Sequence, residues 1–185
     1  DALNSVISSL SAVTTYLPYL PYSRADRRFT AGDCHGLGTF LSLWYVVAAR
    51  AGLWTLDVHN AKRTELLCPV VRNFSPLIFI EKAARYFSAH TGIKTQNLAV
   101  LYPDKGASDR YSGERQLSKL GYASVHAAKT RNTETGELLS FDVPDIVNKQ
   151  APILIVDDIC DGGGTFLGIA SAVRSQGVTA PLGLY

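Results

Sequence analysis

The chain reads as an α/β protein of two units, each built from a mainly parallel sheet flanked by helices. Three features predict this. Short apolar runs, among them Leu53–Val58, Leu98–Tyr102 and Pro152–Val156, alternate along the chain with stretches whose apolar residues recur at helical spacing. Several runs end in acids and glycines, the chemistry expected where a buried parallel strand gives way to a ligand-facing loop. The 185 residues, 46% of them apolar, suffice for one large core or two small ones. Asn73-Phe-Ser-Pro76 interrupts the pattern, which places the units at 1–75 and 76–185.

Leu3, Val6, Ile7, Leu10 and Val13 lie at helical spacing, so the chain opens on an amphipathic helix. Thr14 to Leu17 has strand character, and Pro18 and Pro21 end it in a stiff extended loop. Behind the prolines stand Arg24, Asp26, Arg27 and Arg28. Guanidinium groups gathered around an acid suit a polyphosphate with its metal, because each planar fork bonds two phosphate oxygens. A solvated surface loop is the plainer alternative. A helix follows from Leu37 to Ala48, with Trp44 on its core side and Gly52 as its stop. The strand Leu53–Val58 then delivers Asp57 and His59, one residue apart and so on one side of an extended chain. At the carboxyl end of a strand, His59 suits a ligand as well as a structural hydrogen bond.

Leu77 to Phe87 is the next helix and Leu98 to Tyr102 the next strand. In the turn Pro103-Asp104-Lys105-Gly106, Asp104 is either a turn former or a ligand contact, and Ser108 is placed to cap a helix running towards Leu120 and ended by Gly121. Ala123 to Ala128 makes a strand that ends in Lys129-Thr-Arg131. The polar run Asn132-Thr-Glu-Thr-Gly-Glu137 precedes strand character at Leu138–Val143. A polar excursion rooted on Lys129 and Arg131 is either a flap that closes over charged substrate or a surface hairpin.

The most informative stretch follows. The apolar run Ile153–Val156 ends in Asp157 and Asp158. Asp161-Gly162-Gly163-Gly164-Thr165 opens a helix with Phe166, Ile169, Ala170 and Val173 on one face, stopped by Gly177 before a last strand from Ala180. Successive backbone N–H groups in such a turn, together with the helix N-terminus, make a cradle for an anion. The two acids can accept hydrogen bonds from a sugar diol or hold magnesium. Neither Gly-x-x-x-x-Gly-Lys-[Ser/Thr] nor Gly-x-Gly-x-x-Gly is present, so the turn is not one of the commoner nucleotide loops. The alternative is a glycine-rich turn with solvated acids.

Composition narrows the classes. A formal net charge of +2 makes no case for nucleic acid or membrane binding. Cys34, Cys68 and Cys160 are odd in number and lack metal-ligand spacing, which predicts free, buried thiols in a reducing compartment. With no leader pattern and no apolar run near the length of a membrane span, the expected location is the cytoplasm. The sequence has no methionine, opens inside a helical pattern and stops after strand character, so a fragment lacking elements at both ends is expected.

Taken in order, these stretches resemble the ribose-phosphate pyrophosphokinases, the synthetases of phosphoribosyl pyrophosphate (PRPP). The Asp157–Thr165 loop is similar to the PRPP loop that this family shares with type I phosphoribosyltransferases. Pro18-Tyr-Leu-Pro-Tyr-Ser-Arg-Ala-Asp-Arg-Arg28 resembles the family's ATP-binding stretch, and Leu56-Asp-Val-His59 its metal and ATP site. Pro103-Asp-Lys-Gly106 resembles its Pro-Asp-x-Gly turn, and Lys129-Thr-Arg131 its catalytic flexible loop. The resemblance implies two phosphoribosyltransferase-like units, the first on the ATP side and the second on the ribose 5-phosphate side. It implies transfer of the diphosphoryl group of ATP to ribose 5-phosphate, giving PRPP and AMP, with Mg2+ as cofactor and a homo-oligomeric assembly. Residue by residue it implies ATP contacts for Arg24, Asp26 and His59, metal contacts for His59 and Asp104, and ribose 5-phosphate contacts for Asp157, Asp158, Asp161, Gly162, Gly163, Gly164 and Thr165. Lys129 and Arg131 take the catalytic role.

The sequence departs from the family pattern in several places. Ser23 and Ala25 replace the usual Ala and Gln, Lys105 replaces a small residue, and Asn60-Ala-Lys-Arg-Thr differs from a glutamine-rich continuation that builds subunit contacts. Gly162 stands where the loop normally has Thr, removing one hydroxyl donor while leaving the backbone cradle. A type I phosphoribosyltransferase that consumes PRPP, or a non-catalytic regulatory subunit of the same family, is the competing reading.

Overall fold

In the computed structural model, residues 13–28, 30–47, 51–94, 97–112, 122–131, 138–146 and 148–185 are described. They form two compact units, Asp1–Pro76 and Leu77–Tyr185. The helix expected over the first dozen residues lies outside the described part.

The first unit carries strands β1 (Val13–Leu17), β2 (Ala51–Leu56) and β3 (Val71–Phe74) in the order β1-β2-β3, all parallel. Helices α1 (Gly36–Val47) and α2 (Ala61–Leu67) connect them. Leu37 and Leu41 of α1 join Leu20, Leu53, Val58, Cys68 and Val71 in one core. Trp44 packs against that core, as its helical position requires. Alternation along β1 and β2 sends Tyr16 and Trp54 outward, and Phe74 at the end of β3 is exposed as well, its ring 5.3 Å from that of Trp54. Gly52, expected to stop α1, instead lies inside β2, where it pairs with Thr14. Parallel pairing across β1 and β2 overrides the local preference of glycine for a helix end.

The second unit has a four-stranded parallel sheet in the order β5-β4-β8-β9, from β4 (Ala99–Tyr102), β5 (Ala123–His126), β8 (Ile153–Ile155) and β9 (Leu182–Leu184). A two-stranded antiparallel ribbon, β6 (Ala128–Arg131) and β7 (Leu138–Asp142), stands beside it in sequence. Helix α3 (Leu77–Thr91) opens the unit, α4 (Lys105–Ser112) follows β4, and α5 (Gly164–Ser175) follows β8. Side chains alternate between two cores. Val100, Tyr102 and Leu154 face Ala107 and Tyr111 of α4, whereas Leu101, Ile153 and Ile155 face Phe166, Ile169 and Val173 of α5. The chain therefore leaves β4 on one side of the sheet and β8 on the other, the topology that makes the carboxyl ends of these neighbours the place for a ligand crevice.

The thiols are free, but only Cys68 is buried; Cys34 and Cys160 sit on exposed loops, against the expectation of three core thiols. Among the described residues no helix is long and apolar enough to cross a membrane.

Candidate active site

In the first unit, the loop after β1, one side of α1 and helix α2 with the turn before it line an open pocket of about 1000 Å³. Arg27, Arg28, Arg63, His35, His59 and the single carboxylate of Asp26 give it a strongly basic wall. Asp26 is only 4% exposed, and its Oδ2 stands 3.6 Å from His59 Nδ1. Asp26 Oδ1 is buried and accepts no hydrogen bond, with Arg27 Nε at 3.9 Å. Arg24 is exposed and is not among the residues lining this pocket. β2 ends at Leu56 and Asp57 turns the chain with φ +50°, so strand alternation does not carry through to His59. Asn73 Oδ1 accepts the Val58 N–H at 3.0 Å and Asn60 Oδ1 the Arg63 N–H at 3.0 Å, which fixes the turn that presents His59.

His35, which the sequence did not single out, ties this pocket to α1. Its Nδ1 accepts the Gly38 N–H at 2.9 Å, so the proton is on Nε2, which donates to the Asp26 carbonyl at 2.7 Å. A Cβ at position 38 would fall 2.3 Å from Nδ1. Gly38→Ala is therefore expected to lower stability by about 1 kcal/mol through loss of the cap, although alanine ordinarily favours a helix over glycine by a similar amount. Urea unfolding of the two proteins checks this; a stabilised variant would show that the imidazole is not held.

In the second unit, the crevice between β4 and β8 gathers the acids. Asp157 and Asp158 follow β8, and Asp104 follows β4. Asp157 Oδ1 accepts the Asp158 N–H at 3.0 Å. Burial pushes the Asp157 carboxyl up to about 6; the Asp158 charge adds to this, while the Asp158 N–H and Lys129 oppose it. Asp158 is 7% exposed and its Oδ2 meets Arg110 Nη1 at 3.2 Å. Arg110 lies within the charged stretch after β4, and no sequence signal marked it; its partner is on another element.

Asp104 has two partners. Its Oδ1 accepts the Ala107 N–H at 2.9 Å, a helix-capping contact, and its Oδ2 pairs with Lys129 Nζ at 2.8 Å. Burial would raise this carboxyl, but the Lys129 hydrogen bond and charge and the Ala107 N–H outweigh it and hold the group below its ordinary value. Asp104 rather than Ser108 thus caps the helix, because α4 starts at Lys105 and Ser108 lies within it. Lys129 is on β6, opposite Phe141 of β7. A break at Ala127 separates β5 from β6, where one continuous strand was expected. The backbone of Arg131 ends β6, and its side chain and residues 132–137 lie outside the described part.

Beyond the acids, Asp161 and Gly162 are exposed and lead into α5. Gly163 takes φ +75° as the residue before the helix, a conformation that favours glycine. A Cβ added at Gly162, Gly163 or Gly164 would meet no atom within 4 Å, so the turn faces open space rather than packed chain. Thr165 sits in the first turn of α5, partly buried. A helix N-terminus preceded by such a turn is the kind of place where backbone N–H groups can receive an anion. Among the described residues no group of three or more His, Cys, Asp or Glu side chains is placed to hold a metal by itself.

The chain matches no protein-family model. It is 31% identical over 165 residues to a ribose-phosphate pyrophosphokinase of Sulfolobus acidocaldarius, a match covering 89% of this chain and 53% of the relative. Identity to the enzyme of the same name from Pyrococcus abyssi is 33% over 180 residues, covering 96% and 57%. For that of Cereibacter sphaeroides it is 30% over 179 residues, covering 96% and 50%. The chain thus spans about half the length of the curated relatives it matches. The crystal structure of phosphoribosylpyrophosphate synthetase from Mycobacterium smegmatis superimposes with a TM-score of 0.75 over 98% of this chain and 56% of that one, at 20% identity, and so shares its fold. Over this length the chain is similar to the ribose-phosphate pyrophosphokinases, and it has the fold of a solved phosphoribosylpyrophosphate synthetase.

Proposed function

We propose that the full-length protein is a ribose-phosphate diphosphokinase, transferring the diphosphoryl group of ATP to the anomeric hydroxyl of ribose 5-phosphate to give PRPP and AMP. The observation that carries this reading is the basic pocket around Asp26 and His59 in the unit preceding the glycine cradle. A phosphoribosyltransferase, which only consumes PRPP, has no use for a second polyphosphate site.

The first unit would bind the nucleotide, with Arg24, Asp26 and His59 as contacts and Arg27 and Arg28 adding positive charge. In the second, turn amides from Asp161 to Thr165 would hold the 5-phosphate, and Asp157 and Asp158 would accept hydrogen bonds from the ribose hydroxyls. These contacts orient the attacking oxygen, and orientation together with charge neutralisation is most of what phosphoryl transfer requires. Lys129 and Arg131 would supply that neutralisation. The donor set suits magnesium held largely through water: Asp26 Oδ1 is a buried oxygen without a hydrogen bond, whereas both Asp104 oxygens are engaged within the chain. When bound near Asp26, His59 or Asp104, magnesium would offset polyphosphate charge. Assembly into a homo-oligomer rests on the resemblance to the family, and a cytoplasmic location on the odd, scattered cysteines.

Incubating the full-length protein with ATP, Mg2+ and ribose 5-phosphate should yield AMP and PRPP in equal amounts, read by anion-exchange chromatography. Nucleotide binding without AMP would instead indicate a regulatory subunit, and PRPP consumption with a base a phosphoribosyltransferase.

The open space around Gly162 has its own consequence. Its φ is not positive, so Gly162→Thr should be accepted without strain and add a hydroxyl donor. A hydrogen bond to a charged group contributes about 1.5–3 kcal/mol, so ribose 5-phosphate affinity should tighten by roughly ten-fold or more. Calorimetric titration that finds no gain would place the phosphate elsewhere.

A further inference from the structure

We infer that Arg110 is a positioning residue for sugar binding, acting through Asp158. The inference rests on the ribose 5-phosphate reading of this site. Arg110 lies on α4 and its side chain is 19% exposed; the Asp158 carboxylate it meets at 3.2 Å is 7% exposed. At this burial neither partner is solvated well enough to be indifferent to the other. The guanidinium is anchored on its own element as well. It lies 5.4 Å from the centre of the Tyr111 ring, and Nη1 reaches Tyr111 Oη at 3.4 Å. Tyr111 is itself buried and stacks on Tyr102, with ring centres 6.1 Å apart.

A flexible cation would neutralise Asp158 without directing it. A guanidinium fixed by a buried tyrosine instead holds Asp158 Oδ2 in place. The neighbouring Asp157 is held differently, through the Asp158 N–H. Two adjacent acids of the same type thus meet a diol with unlike surroundings: one anchored by a cation, the other by an amide. Helix α4 also serves both acids, since Asp104 caps it and pairs with Lys129 while Arg110 further along pairs with Asp158.

The test is a double-mutant cycle on the full-length protein, read as ribose 5-phosphate affinity by calorimetry, with ATP affinity measured beside it. Arg110→Met is expected to weaken ribose 5-phosphate binding by roughly a hundred-fold and ATP binding by less than about three-fold, and Arg110→Lys to recover part of the loss. In an Asp158→Asn background the Arg110→Met penalty should vanish, because the residue through which Arg110 acts has lost its charge. Should Arg110→Met alone fail to fold once the buried Asp158 carboxylate loses its guanidinium, the comparison of Asp158→Asn with Arg110→Met/Asp158→Asn decides by itself. Equal affinities support the inference; a further loss in the double variant, or a parallel loss of ATP binding, overturns it. A wild-type protein that binds no ribose 5-phosphate removes the functional reading and this inference together, an outcome distinct from an additive cycle.

Discussion

On the proposed diphosphokinase reading, replacing Lys129 by alanine should lower turnover of the full-length protein by roughly 10²–10³-fold, while ribose 5-phosphate affinity changes no more than a few-fold. Lys129 is 15% exposed and its ammonium is paired with Asp104 Oδ2 at 2.8 Å. In that resting position its charge is already compensated by a carboxylate. It can stabilise a transferred diphosphoryl group only by turning part of that attraction towards phosphate oxygens as their charge develops, an interaction made in the transition state rather than with bound sugar. Steady-state kinetics should therefore show kcat and kcat/KM falling together with little change in ribose 5-phosphate binding. Equal losses in turnover and in sugar affinity would assign Lys129 to ground-state binding instead.

Asp157→Asn should weaken ribose 5-phosphate binding at pH 8 by roughly ten- to a hundred-fold, the value of a charge-assisted hydrogen bond. The same variant tests the protonation of this acid. Burial, with the Asp158 charge, raises the Asp157 carboxyl to about 6 from an ordinary 3.8. A raised folded-state value means that the folded protein holds the proton more tightly than the unfolded chain. The resulting stabilisation is complete below 3.8 and is lost as pH rises through about 6. Asparagine does not titrate. The stability of Asp157→Asn relative to wild type should consequently improve between pH 4.5 and 7.5, and wild-type sugar affinity should rise more steeply with pH over that interval than the variant's. Parallel urea-unfolding curves at the two pH values would place the Asp157 carboxyl near its ordinary value.

Much of the architecture could be read from periodicity, because the central strands of a parallel sheet are apolar on both faces. The run Ile153–Val156 is buried throughout, and α5 buries Phe166, Ile169 and Val173 in the expected register. What escaped had no such signature. Helix α2 is seven residues long and buries only Thr64 among its side chains, so it shows no apolar stripe; Asn60 as its cap was the available signal. β3 buries one residue and exposes three, and so does not alternate. The site was legible where chemistry is local, as in the acid pair and glycine turn. It was not legible where contacts are long-range. His35 meets Asp26 across a loop, and Arg110 meets Asp158 across the crevice; in sequence both resemble solvated polar residues.

Asp104 places an unusual demand on any replacement. One oxygen closes the first turn of α4 and the other anchors Lys129, so the position is constrained by geometry and charge at once. Asparagine or serine would keep the helix start and release the lysine. Glutamate would keep the charge but, one methylene longer, would cap poorly. A saturation library at this position should therefore yield few functional survivors, and loss of activity in an alanine variant would report a frayed helix and a released lysine as readily as a missing metal contact. The Asp104→Asn variant keeps the helix start while removing the charge, so it separates the frayed helix from the other two causes, which makes it the informative substitution.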